Sequence, residues 1–133
     1  MNGLNGLIRR PPGATDELVV AAQKQLGTDL PEQFVQFLKV TNGPEGYIGE
    51  NAYVMLWGVE DLASLNAAYE VQMYAPGLLI FGSDGGGEAY GFDTRNIPWT
   101  IVRMPFIGME WSMATPIAST FDEFLEHLRN ETE

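Results

Sequence analysis

The chain has 133 residues, enough for a single domain that buries roughly two-thirds of its unfolded surface. Its 45% hydrophobic and 11% aromatic content supplies a core and argues against disorder, while 18 acidic against 7 basic side chains give a formal charge of −11. That balance disfavours phosphate backbones as partners, and the absence of cysteine excludes disulfides, thiolate metal sites and cysteine nucleophiles.

Residues 1–13 read as an N-terminal arm that ends in Pro11, Pro12 and Gly13, residues 14–130 as one domain, and 131–133 as a tail. No apolar run reaches the length of a membrane span. Arg9 and Arg10 follow the first apolar residues instead of preceding them, the reverse of a signal peptide, so a cytoplasmic protein is expected. A first helix starts at Thr15, an N-cap followed by Asp16 and Glu17, with Leu18, Ala22 and Leu26 as its apolar stripe and Gly27 as its stop. Pro31 suits the first position of a second helix, which carries Phe34, Phe37, Leu38 and Thr41 on one face and closes at Asn42 and Gly43.

The glycine-rich segment from Pro44 to Asn51 reads as a loop, and 52–58 as a short apolar strand. One helix is then expected over 59–77, with Leu62, Leu65, Tyr69 and Met73 along one side and Pro76 and Gly77 ending it. Beyond it the period becomes strand-like. Residues 78–82 and 88–93 are strands joined by the turn holding Gly85, Gly86 and Gly87, and 99–104 is the next strand. Residues 105–116 read as part strand and part loop. A last helix begins at a capping box of Ser119 and Asp122, with Phe121, Phe124, Leu125 and Leu128 facing the core. The order predicts an α+β fold: a single domain in which an antiparallel meander packs against N-terminal, middle and C-terminal helices.

The chemistry of catalysis is sparse. The sole histidine, His127, lies one turn after Glu123 and off the apolar stripe, which suits a solvated pair. No Gly-x-Ser-x-Gly elbow occurs. Asp84, Glu88 and Asp93 cluster in sequence, but turns favour such acids, and the calcium-loop pattern is missing. The glycine run lacks the lysine of a phosphate loop, and Asp84 and Glu88 repel an anion. Its economical reading is a hairpin turn that supplies positive φ angles and admits a close neighbour, the helix bearing Asn66 being the candidate. Asn66 itself falls on an apolar helix face, where its amide needs partners and loop backbone is the expected one. No catalytic residue, metal site or cofactor is expected.

The ordered set of Leu26-Gly27, Leu30-Pro31, Phe34, Phe37-Leu38, Asn42-Gly43, Leu62, Leu65, Asn66, Tyr69, then "GSDGGGEAYGFD" and "IASTFDEFLEHL", resembles the SUKH superfamily, in particular its Smi/Knr-type domains. The likeness spans about residues 14–130; Gln23 departs from the acidic residue frequent at that place. The resemblance implies a non-enzymatic protein-binding domain. Many bacterial members are immunity proteins that neutralise a toxin, often a nuclease, and eukaryotic relatives include a regulatory hub. A basic toxin domain is therefore the expected partner, with a housekeeping regulatory module as the alternative and a metal- or ligand-dependent enzyme using Asp84, Glu88 and Asp93 as the remaining one. Neither nucleic acid nor membrane is expected to bind directly, and a monomer or weak dimer is expected. Charge and loop placement nominate Glu45, Glu50, Asp84, Glu88 and Glu110 as contacts, with Tyr47 and Trp111 as anchors. Pro31, Asn42, Gly43, Asn66, Gly85, Gly86 and Gly87 are assigned structural roles. Within 104–113, Met104, Phe106, Met109, Trp111 and Met113 are either core filling or, where exposed, a patch for a protein partner.

Overall fold

The computed structural model describes residues 6–131. In chain order the elements are β1 (Leu7–Arg9), α1 (Asp16–Leu26), α2 (Glu32–Val40), β2 (Glu45–Ile48), β3 (Ala52–Leu56), a 3-10 turn (Val59–Asp61), α3 (Leu62–Ala68) and α4 (Val71–Tyr74). Then follow β4 (Leu78–Ser83), β5 (Glu88–Asp93), β6 (Thr100–Pro105), a second 3-10 turn (Trp111–Met113), β7 (Thr115–Ala118) and α5 (Phe121–Arg129). All seven strands pair in sequential order in one antiparallel sheet. The chain is therefore an α+β single domain, a meander interrupted by two helical excursions.

The central strands are covered on both faces, which is why β4 is apolar at nearly every position without a polar alternation. Leu79 and Phe81 point to one side, where α1, α2 and α5 deliver Val19, Phe34, Phe37, Phe121, Phe124 and Leu128. Phe34 sits 5.2 Å from the rings of Phe92 and Phe121 and 5.4 Å from Phe81, so aromatic packing ties α2 and α5 to the sheet. Leu78 and Ile80 point to the other side, into a smaller cluster with Val71, Ala75, Val102, Met104 and Met109. Among the described residues, cover on that side comes from α4 and the 106–114 segment, and the cluster includes no residue of β2 or β3.

Local signals explain the helix ends. Thr15 Oγ1 accepts from the Leu18 N–H at 3.2 Å, and Gly27, at φ 75°, returns its N–H to the Gln23 carbonyl. Pro31 occupies the N-cap of α2 instead of its first helical position, and its carbonyl takes the first helical bond, from Val35. The box at α5 is shifted by one residue from Ser119/Asp122. Thr120 is the N-cap, its hydroxyl accepting from the Glu123 N–H, and the Glu123 carboxylate accepts from the Ser119 N–H at 3.0 Å. Glu123 is thereby committed to the cap, while His127 is exposed in the last turn.

Three segments depart from the sequence expectations. Residues 45–48 form β2, not a loop, and part of the N-terminal arm pairs with it as β1, Leu7 opposite Gly46. Gly46, at φ 140°, lets β1 cross so closely that a Cβ there would lie 2.5 Å from the Ile8 nitrogen, so this glycine serves a strand crossing. The helix expected over 59–77 is a 3-10 turn and two short helices broken at Glu70, which takes a left-handed φ of 54°. The break shifts the buried phase to Val71 and Ala75, and turns Tyr69 and Met73, 46% and 71% exposed, away from the core.

The glycine turn is the third. Only Gly85 has a positive φ (81°), and its Cβ position lies 2.7 Å from the Tyr53 ring on β3; the close neighbour is that ring, not the helix bearing Asn66. The Asp84 carboxylate closes the turn by accepting from the Gly86 and Glu88 N–H groups at 2.8 and 3.2 Å. Gly87 has open space around it, and its carbonyl accepts from the Phe106 N–H at 2.9 Å.

Candidate protein-binding face

Alternation along β2 and β3 sends Ile48, Ala52, Val54 and Leu56 into the helix-covered core, and Glu45, Tyr47, Tyr53 and Met55 to the opposite face. Among the described residues no helix covers that opposite face over these two strands. Tyr47 and Tyr53 form a cross-strand pair, ring centroids 5.2 Å apart and nearly perpendicular. Tyr53 also donates its hydroxyl to the Glu45 carboxylate, a bond that raises the phenol's pKa above its ordinary value.

Further along, a row of rings continues the surface. Trp57 stacks on Tyr69 at 5.9 Å with planes 8° apart, and Tyr69 meets Phe106 at 4.9 Å. Beside them a groove of about 600 Å³ is lined by Tyr69, Tyr74, Phe106, Ile107, Glu110 and Met113 among others. Tyr69, Tyr74, Ile107 and Met113 are all exposed large apolar side chains. Exposed aromatic and methionine clusters of this kind suit protein contacts, since rigid rings bury much area at small entropic cost. The 104–113 segment thus divides: Met104 and Met109 fill the core, while Phe106 and Met113 contribute to the surface.

The nominated contact residues do not form one cluster. Glu45 and Tyr47 (44% exposed) lie on β2 at one end of the open face, and Glu110 lies in the segment after β6, beside Tyr69 and Tyr74. Glu50 is exposed in the tight turn between β2 and β3. Glu88 falls on the helix-covered side by alternation from Tyr90 and Phe92, and Asp84 is engaged in its own turn. Trp111 is tied down: its Nε1 donates to the Pro76 carbonyl at 2.8 Å, and the Arg95 guanidinium lies 3.5 Å from its ring centroid. Arg95 in turn grips Asp93 through Nε and Nη2, both at 3.0 Å, and holds that carboxyl below its usual pKa. Trp111 is therefore a strap between the 106–114 segment and the start of β4. Tyr69 and Tyr74 are exposed rings that sequence reasoning missed: Tyr69 matched the spacing of a core stripe, and Tyr74 lay outside that stripe and was not singled out.

The structural residues form a frame behind this face. Asn42 accepts from the Val59 N–H and donates to Glu60, each at 2.8 Å, and Gly43, at φ 80°, lies against the Gly58 backbone. Asn66 is 8% exposed and supports β4 itself. Its Oδ1 accepts from the Ile80 N–H at 2.9 Å, and its Nδ2 donates to the Ile80 and Leu62 carbonyls at 2.9 and 2.8 Å. β3 pairs with β4 only at Ser83 and Gly82, so Asn66 stands in for the missing strand neighbour of Ile80. Gln72 does the same for Leu78, donating to its carbonyl at 2.8 Å.

Among the described residues, four of the seven cations form ion pairs: Lys39–Asp16, Arg95–Asp93, Arg103–Glu131 and Arg129–Glu126. Glu45, Glu60 and Glu110 around the open face belong to none of these pairs. Among the described residues no group of three histidine, cysteine, aspartate or glutamate side chains is placed to hold a metal, and no helix is long and apolar enough to cross a membrane.

The fold is a helix-backed antiparallel meander with a row of rings on its surface. The model of the SMI1/KNR4 family (SUKH-1) matches residues 13–127, and the chain belongs to that family. Comparison with curated protein sequences finds no match.

Proposed function

We propose that this chain is an immunity protein that binds a basic toxin domain across the open face and neutralises it by occlusion. Membership of the SMI1/KNR4 family supports a protein-binding module of the immunity or regulatory kind. The observation that carries the finer reading is the row of the half-buried Trp57 and Phe106 and the exposed Tyr69, set among carboxylates that form no ion pair among the described residues. A nucleic-acid-processing toxin presents a cationic groove, and acids on the inhibitor speed encounter and reject wrong partners. Affinity then comes from rings seated in pockets, with Tyr69 and Tyr74 as anchors and Glu45, Tyr47 and Glu110 around them. In this reading the protein works in the cytoplasm as a monomer or weak dimer and requires no cofactor.

The test is coexpression with the toxin domain encoded beside it. Wild-type chain should restore growth, and a Tyr69→Glu/Phe106→Glu variant that folds normally should not. Equal rescue by that variant refutes the assignment of the face. Absence of any rescue, together with capture of a protein of the same cell, transfers the chain to the regulatory branch.

A further inference from the structure

A second concavity lies on the other side of α3 and α4, separate from the aromatic row. Two cavities of about 450 and 840 Å³ adjoin there and share Thr28, Ile97 and Trp99 in their walls. Their floor is apolar, built from Leu30, Phe92 and Ile101 in the smaller one and Leu26, Leu78 and Leu79 in the larger. Ile97, in the turn between β5 and β6, is 90% exposed, and the half-buried Trp99 packs 5.8 Å from Phe92. An aliphatic side chain gains free energy on leaving water, so Ile97 at the junction of two cavities is a ready anchor point.

The charges lining the groove have one sign. Asp29 and Glu32 line the smaller cavity and Glu70 the larger, while no lysine, arginine or histidine lines either. Among the described residues none of the three acids forms an ion pair, and Glu32 feels the charge of Lys39. An apolar floor with an acidic rim repels nucleic acid and anionic lipid headgroups, and it leaves a cationic amphiphilic chain as the complementary occupant. We infer that this groove is a second docking surface, for a short segment of a partner protein that carries aliphatic side chains flanked by lysine or arginine. Two compartments joined at Ile97 and Trp99 take two aliphatic side chains of one segment, and the rim carboxylates take the flanking cations.

The three tryptophans make the proposal directly testable, because Trp57 marks the open face, Trp111 the strap and Trp99 the groove. The probe is a short synthetic peptide of alternating leucine and lysine, added to the full-length protein while the three indole N–H resonances are followed by NMR. The Trp99 indole should shift saturably while Trp57 and Trp111 hold still. Peptides of alternating leucine and glutamate, or serine and lysine, should bind at least about tenfold more weakly. Ile97→Ser, at an exposed position, and the double variant Asp29→Lys/Glu32→Lys should each weaken binding by about the same factor. A serine–lysine peptide that binds equally well reduces the effect to charge and overturns the proposal. So does a shift that begins at Trp57, binding that Ile97→Ser leaves unchanged, or a Trp99 signal that moves with protein concentration alone, which assigns the groove to a second copy.

Discussion

Replacing Asn66 by leucine tests how the sheet is held where β3 stops short. The side chain keeps its approximate volume, so the change isolates hydrogen bonding from cavity formation. Three bonds of 2.8–2.9 Å are lost. The Leu62 carbonyl sits within a helix, but the Ile80 N–H and C=O have no strand partner on that edge, since β3 reaches β4 only at Gly82 and Ser83. Each orphaned buried group costs about 1–3 kcal/mol, so with two such groups Asn66→Leu should lose about 2–6 kcal/mol. Against a typical stability of about 5–15 kcal/mol that is a large fraction. Asn66→Ala should lose less than a full cavity plus two orphans would suggest, because water can enter and partner Ile80. The assay is urea unfolding at constant m-value, paired with hydrogen exchange at the Ile80 amide. A loss under about 0.5 kcal/mol with the Ile80 amide still protected would refute the argument that this amide substitutes for a strand.

Gly85→Ala should destabilise by at least about 1–2 kcal/mol, since it combines a left-handed φ with contact on the Tyr53 ring, whereas Gly87→Ala, in open space, should be neutral or stabilising by up to about 1 kcal/mol; thermal unfolding of the pair separates the two positions. Tyr69→Ala should cost only about 1 kcal/mol of stability, being half exposed, yet more than about 2 kcal/mol of partner affinity by calorimetry if it anchors the complex. The Asp93 carboxyl is held below its ordinary value of 3.8 by hydrogen bonds from Arg95, so the fold gains stability from it above that pH and loses the gain as pH falls through the depressed value; Trp111 fluorescence should change in the same acid range, and Asp93→Asn should abolish that change. Burial raises the Tyr90 phenol above 10.0, so its contribution is complete below that pH and is lost as pH rises through the higher folded value; Tyr90→Phe should flatten the alkaline limb of a stability profile.

Legibility in the sequence followed how local the determining interaction was. Thr15, Gly27 and the apolar run at 78–82 act on their immediate neighbours, and each could be recognised without a tertiary context. β2 was hidden because Gly46 resembles a loop glycine until β1 is laid across it, a contact from nearly forty positions away. Asn66 was recognisable as a buried amide, but its partner is a strand edge that exists only because β3 is short. The anchors at Tyr47 and Trp111 were chosen from residue type, which does not reveal that Arg95 and the Pro76 carbonyl already occupy one of them. Tyr69 escaped notice because its spacing from Leu62 and Leu65 is that of a core stripe, and the stripe ends one residue later.

That ending organises both surfaces. A continuous helix over 59–77 would keep Leu62, Leu65, Tyr69 and Met73 on one buried side, with the aromatic ring and the methionine inside. Glu70 in the left-handed region restarts the helix out of phase, so Val71 and Ala75 take the core positions under β4. Tyr69 is then free to bridge Trp57 and Phe106 on one side of α3 and α4. Met73 and Glu70 line the groove on the other. The left-handed residue is not a glycine, so its strain is held by the packing on either side and not by local preference. Glu70→Gly should relax that strain and leave both surfaces intact, while a change that favours a continuous helix should draw Tyr69 inward and weaken the aromatic face and the groove together.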